Sequence, residues 1–211
     1  MSTSPVIVPI AVALAFSAAC SPPPAARAGT TPSSSPIAGA PTGGPHDFDY
    51  FEGAWKAHQR RLKIRGAGSH DWEEFPSTLC MRRYLGGIAT VDELYFPTKG
   101  WSGLTVRTFD VARRQWSIYW VSSRTGVMGP PQVGGFDGDR GRFYGEDEDG
   151  GHRVQVLYRW TKQGPDRAHW EQSFSRDGVK WEVNWTADFE RADPAMCSTH
   201  ATPARAATPG A

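Results

Sequence analysis

The chain has no apolar run long enough to cross a bilayer as a helix, which takes about 20 residues. Its longest such run, residues 6–19, falls short. It has no Lys- or Arg-rich stretch and a formal net charge of +1, so no nucleic-acid partner is expected. The histidines at 46, 58, 70, 152, 169 and 200 lack tight ligand spacing, so no metal is expected. Only His58 sits where an inward axial haem ligand would have to be. Asp137-x-Asp139-x-Gly141 begins like a calcium loop, but without the closing Glu it reads as a hairpin turn. No nucleophile elbow, phosphate loop or dinucleotide fingerprint is present. No cofactor is expected.

Cysteine is scarce, with three in 211 residues. Cys20 closes the apolar run 6–19, which reads as a signal-peptide core. Ser17-Ala18-Ala19-Cys20 resembles a bacterial lipoprotein signal, in which the thiol takes the lipid. It departs from that pattern in having Ser17 for the preferred Leu and no preceding Lys or Arg. The alternative is an ordinary secretory signal with an incidental cysteine. Either way residues 1–20 predict export, to a bacterial periplasm or cell envelope. Contact with the membrane is then expected only through a lipid on Cys20. Cys80 and Cys197 could pair in an exported protein, but connectivity is not legible in a sequence.

Aromatic residues are missing from residues 21–45, which apart from Arg27 and Ile37 are Pro, Ala, Gly, Ser and Thr. Such a segment cannot bury enough apolar area to offset its ordering entropy, so a disordered tether is expected. A tail at 192–211 has the same composition. All nine Trp, all six Tyr and nine of the ten Phe lie within 46–191, the span of one ordinary domain.

Within that domain, residues 46–52 predict one helical turn, capped by Asp47. Strands follow at 55–64, 72–85, 88–96, 104–110, 115–123, 133–136, 142–146 and 152–160, with Pro76 marking an edge or bulge. Residues 170–189 form a last hairpin. There, Asp177-Gly178 predicts a two-residue type I′ turn, with Trp170 opposite Trp185, Gln172 opposite Val183 and Phe174 opposite Trp181. That register points Gln172 inward with the tryptophans and sends Glu171, Glu182 and Asn184 outward. Turn-length connections leave no room for crossover helices, so the fold class is all-β and antiparallel. A large sheet with one apolar face must close or fold over, and successive hairpins favour an up-and-down β-barrel of nine or ten strands over a sandwich.

Several motifs resemble an uncharacterised bacterial family of lipocalin-like, calycin-type barrels. They are FDYFEGAW at 48–55, WEEF at 72–75, GG-IATVDE at 86–93, QWSIYW at 115–120 and WEQSFSRDG-WE-NW at 170–185. The resemblance spans the whole domain. It implies a closed barrel with an interior cavity, and it carries over no catalytic residue.

The sharpest local signal is acid in the barrel wall. Asp92 and Glu93 are adjacent on one strand, so one of them faces inward. An inward carboxylate needs a partner, for which Arg61 and Arg107 are candidates, or a wet cavity. The aromatic residues Trp120, Tyr158, Trp160, Trp170 and Trp185, with Gln172 and Arg107, are the candidate ligand-binding residues. The alternative is that they simply fill the interior, as side chains of small barrels do. The first functional expectation is a barrel binding a small hydrophobic or aromatic molecule. The second is an isomerase, hydratase or cyclase in which Asp92 or Glu93 transfers a proton to a substrate held by Tyr158 and Arg107. The third is a non-catalytic envelope interaction domain with an exposed apolar patch.

Overall fold

In the computed structural model, residues 39–199 are described; the expected signal with Cys20, most of the expected tether and His200 lie outside them. The elements, in chain order, are a 3-10 turn at Asp49–Phe51 and ten strands, with a second 3-10 turn at Leu85–Gly87 between the second and third strands. The strands are β1 (Gly53–Leu62), β2 (Trp72–Tyr84), β3 (Ala89–Phe96), β4 (Trp101–Asp110), β5 (Gln115–Ser122), β6 (Gln132–Asp137), β7 (Arg140–Asp149), β8 (His152–Lys162), β9 (Arg167–Ser175) and β10 (Glu182–Arg191). A helical turn, α1 (Met196–Thr199), follows. Each strand pairs antiparallel with its neighbours in sequence, and β10 returns to β1, so the sheet is a closed barrel. This is the closed antiparallel up-and-down barrel expected above, and it is consistent with a lipocalin-like type.

Alternation decides the inside. On β3, Thr90, Asp92, Leu94 and Phe96 are buried while the residues between them are only partly so. On β1, Trp55, Ala57 and Gln59 are buried while Lys56, His58 and Arg60 are exposed. The first 3-10 turn plugs one end of the barrel. Phe48 meets Trp116 and Phe136 edge-on at 5.2 Å, and Phe51 stacks on Trp55 at 4.8 Å. Burying aromatic side chains of this size is the main stabilising contribution a small barrel can make. No side chain caps the turn; Asp47 instead accepts from the Gly44 N–H behind it, at 2.9 Å.

Pro76 lies on β2 beyond the last β3 partner, since that ladder begins at Thr78. On that side no backbone N–H is called for, so proline is tolerated inside a long strand.

The last hairpin differs from the expected one. Residues 176–181 form a six-residue loop, because side chains compete for its backbone groups. Asp177 Oδ1 accepts from the N–H groups of Val179 at 2.9 Å and Lys180 at 2.8 Å, and Ser175 Oγ accepts from Gly178 N–H at 2.9 Å. These bonds hold the Asp177 carboxyl below its usual value, the Lys180 N–H contributing most and Val179 next. The pairing is therefore Phe174 with Glu182, Ser173 with Val183, Gln172 with Trp185 and Ala187 with Trp170, and a bulge separates Val183 from Trp185. Trp181 lies outside the strands. Asn184, in the bulge, is fully buried rather than outward.

Both ends of the domain extend past the expected limits. Gly43 N–H donates to Arg114 O at 2.8 Å, and Trp116 Nε1 donates to Gly44 O at 2.9 Å, pinning the chain before residue 46 against β5. Beyond residue 191, Ala192 N–H donates to Ala54 O at 2.9 Å, and Cys197 in α1 forms a disulfide with Cys80 on β2.

Candidate functional site

Eight of the ten strands contribute to an interior cavity of about 80 Å³. β3 supplies Asp92 and Leu94, β4 Thr105 and Arg107, and β5 Ile118 and Trp120. β8 supplies Tyr158 and Trp160, β9 Trp170 and Gln172, and β10 Trp185, Ala187 and Phe189; Gln59 and Leu79 complete the wall. A buried water needs about 2–4 polar partners, and a space of this size holds several waters or a few heavy atoms of ligand. Among the sequence candidates, Asp92, Arg107, Trp120, Tyr158, Trp160, Trp170, Gln172 and Trp185 all line this one cavity. Glu93 does not, because it alternates with Asp92 and lies on the outer side of β3.

At the inner end of the cavity sits a buried ion pair. Asp92 is 1 % exposed and Arg107 is 2 % exposed. In register Asp92 faces Thr105 while Arg107 faces Thr90, so the two side chains meet on a diagonal. Arg107 Nη1 donates to Asp92 Oδ2 and, at 3.4 Å, to Thr90 Oγ1. The guanidinium also packs over Phe48, at 4.8 Å from the ring centre, tying the pair to the aromatic floor. The pair is not fully satisfied: Asp92 Oδ1 and Arg107 Nε have no hydrogen-bond partner among the described residues, and neither does Trp160 Nε1. Buried groups left open in this way cost free energy unless something binds them.

The walls are aromatic, with amides between them. Tyr158 meets Trp170 edge-on at 5.2 Å, and Trp170 meets Trp185 edge-on at 6.0 Å. Burial, assisted by the charge of Asp147, pushes the Tyr158 phenol well above its ordinary value, so it is neutral across the physiological range. Trp185 Nε1 donates to Gln59 Oε1 at 2.8 Å, and Gln59 Nε2 donates to Ser77 Oγ at 2.9 Å, which fixes that indole. Gln172 Nε2 donates to Asn184 Oδ1 at 2.7 Å. Trp120 has its place because β4 carries Gly103: a Cβ there would fall inside the indole ring.

One inward step beyond Gln59, Arg61 spans the opposite end of the barrel from the plug. It donates to Glu73 through Nε at 2.8 Å and Nη2 at 2.5 Å, and its guanidinium lies 5.1 Å from the Trp185 ring. Lys99 Nζ completes the cluster at 2.6 Å from Glu73, and that hydrogen bond, more than Arg61, holds the Glu73 carboxyl below its usual value. Of the two arginines considered as partners for an inward acid, Arg107 takes Asp92 and Arg61 takes Glu73.

The geometry adds residues that the sequence reading left without a role. Gln59 was legible by alternation, two steps from Ala57 and four from Trp55. Thr105 and Gly103 share Arg107's face and were legible in the same way. Asn184 was not, because its burial depends on the bulge. His58 points outward, with Nε2 3.2 Å from Glu74, away from the interior a haem ligand needs. Among the described residues no cluster of His, Cys, Asp and Glu is arranged to hold a metal ion.

Compared with known families and with curated proteins, the chain matches no family model and no curated sequence. The class of protein rests on the fold: a closed ten-stranded antiparallel barrel, consistent with the lipocalin-like type, whose interior could take a small ligand.

Proposed function

We propose that this protein is an exported binding barrel that holds a small apolar or aromatic molecule in its interior. The observation that carries this is the cavity between the aromatic plug and the Arg61–Glu73–Lys99 cluster, walled by Trp120, Tyr158, Trp170 and Trp185. Concave apolar walls with a few convergent polar groups are what small-molecule sites are made of. Ile64, Val127, Met128 and Val179 are exposed on the loops at the end away from the plug, which suits the entry of an apolar ligand. The Cys80–Cys197 disulfide supports export, since such bonds persist in oxidising compartments. Anchoring through a lipid on Cys20 belongs to the same proposal.

Proton transfer by Asp92 has less support. Its Oδ2 accepts from Arg107, and taking up a proton would leave the buried guanidinium without its counter-charge.

Native mass spectrometry of the protein purified from its own host tests binding directly. A retained small molecule is the expected result. An unliganded mass, together with no change in tryptophan fluorescence across a library of small apolar compounds, would overturn the proposal.

A further inference from the structure

Resting on that reading, the geometry points to the chemical class of the ligand: a neutral hydroxyl compound, an alcohol or a phenol no larger than one ring, seated with its hydroxyl against Asp92 and Arg107. Three observations carry it. First, among the described residues the only charged side chains lining the cavity are Asp92 and Arg107, and they neutralise each other. An anion would face the Asp92 carboxylate and a cation would face the Arg107 guanidinium, each in a setting with little water to screen it. Second, each member of the pair has one polar atom without a partner among the described residues and with almost no accessible surface, which a small group reaches once the side chains around it shift. Asp92 Oδ1 can only accept and Arg107 Nε can only donate. A hydroxyl is the smallest group that answers both, donating its proton to Oδ1 and accepting from Nε–H. Third, the volume limits the rest of the molecule. At about 80 Å³ the space is smaller than the ~150 Å³ apolar cavity that admits benzene. A ring therefore does not fit the space as it stands and enters only with a rotation of the partly exposed Trp120 or Trp170, which makes one ring the upper limit.

Hydrogen bonds to ionised groups discriminate strongly when the alternative leaves those groups unpaired in a dry site. The full chain is titrated by calorimetry with four probes of one size: phenol, benzene, benzoate and benzylammonium. Phenol is expected to bind at least roughly tenfold more tightly than benzene, with both ions weaker than benzene. A second arm uses the double variant Asp92→Leu/Arg107→Met, which exchanges the pair for apolar side chains. Its fold is checked by circular dichroism, and it is expected to bind phenol and benzene alike. Benzene binding the wild type as well as phenol, or either ion binding it best, would overturn the assignment without any variant. If none of the four binds but the protein from its host retains a molecule without a hydroxyl group, the hydroxyl assignment fails and the binding barrel stands; a retained small alcohol or phenol supports both. If nothing binds and nothing is retained, both fail.

Discussion

Asp92 shows how much one residue's meaning depends on its surroundings. As a lone inward acid it suggests a catalytic base; paired with Arg107 over an aromatic floor it is a fixed dipole with one open acceptor. A buried pair of this kind contributes little net stability, because desolvation offsets most of the attraction, yet removing one partner is strongly destabilising. Gly103 bears on the cavity by a different route, since its missing side chain is where the Trp120 indole lies. Gly103→Ala is expected to displace that ring. The cost is about 1–3 kcal/mol of overpacking, read in urea melts, with loss of whatever the cavity binds. Unchanged stability and unchanged binding would mean that Trp120 has another place to go.

Among the elements, the strands were legible and their joints were not. Alternation such as Trp116, Ile118 and Trp120, or Thr90, Asp92 and Leu94, is a local property, and it marks a strand wherever it folds. The 170–189 hairpin shows the limit. Asp-Gly is a strong type I′ signal, but Ser175 and Asp177 offer the backbone competing hydrogen bonds, and the turn opens into a six-residue loop. One bulge then brings Asn184 inside and moves Trp185 opposite Gln172. At the chain's C-terminal side, the disulfide closes a separation of 117 residues between β2 and α1. Cys197→Ser is expected to lower stability by about 2–4 kcal/mol, mostly by freeing the unfolded chain. Chemical denaturation with and without reductant checks it: wild type should lose a similar amount on reduction, and the variant should not respond.

For the whole molecule, closure is the organising event. With β10 returning to β1 the sheet has no edge to template aggregation, and the inward faces of ten strands must be filled or left as a cavity. Here the plug end is filled by Phe48, Phe51, Trp55 and their neighbours, and the middle is left partly open. The expectation that this barrel is tethered outside the cytoplasm rests on residues 1–20 and is tested there. Cys20→Ala is expected to move the protein from the membrane fraction to the soluble envelope fraction. An unchanged distribution would exclude a lipid on that cysteine.

Residue order alone determined the all-β antiparallel class, the placement of the aromatic residues in one domain and the fact that one of Asp92 and Glu93 faces inward, and it favoured a closed barrel over a sandwich. Periodicity and turn chemistry are short-range, so a contiguous stretch contains them. Only the tertiary structure decided which acid that is, that its partner is Arg107 rather than Arg61, that Cys80 meets Cys197 and that Asn184 is buried. Each of these depends on register across strands distant in sequence, and register is set by loops, bulges and closure acting together.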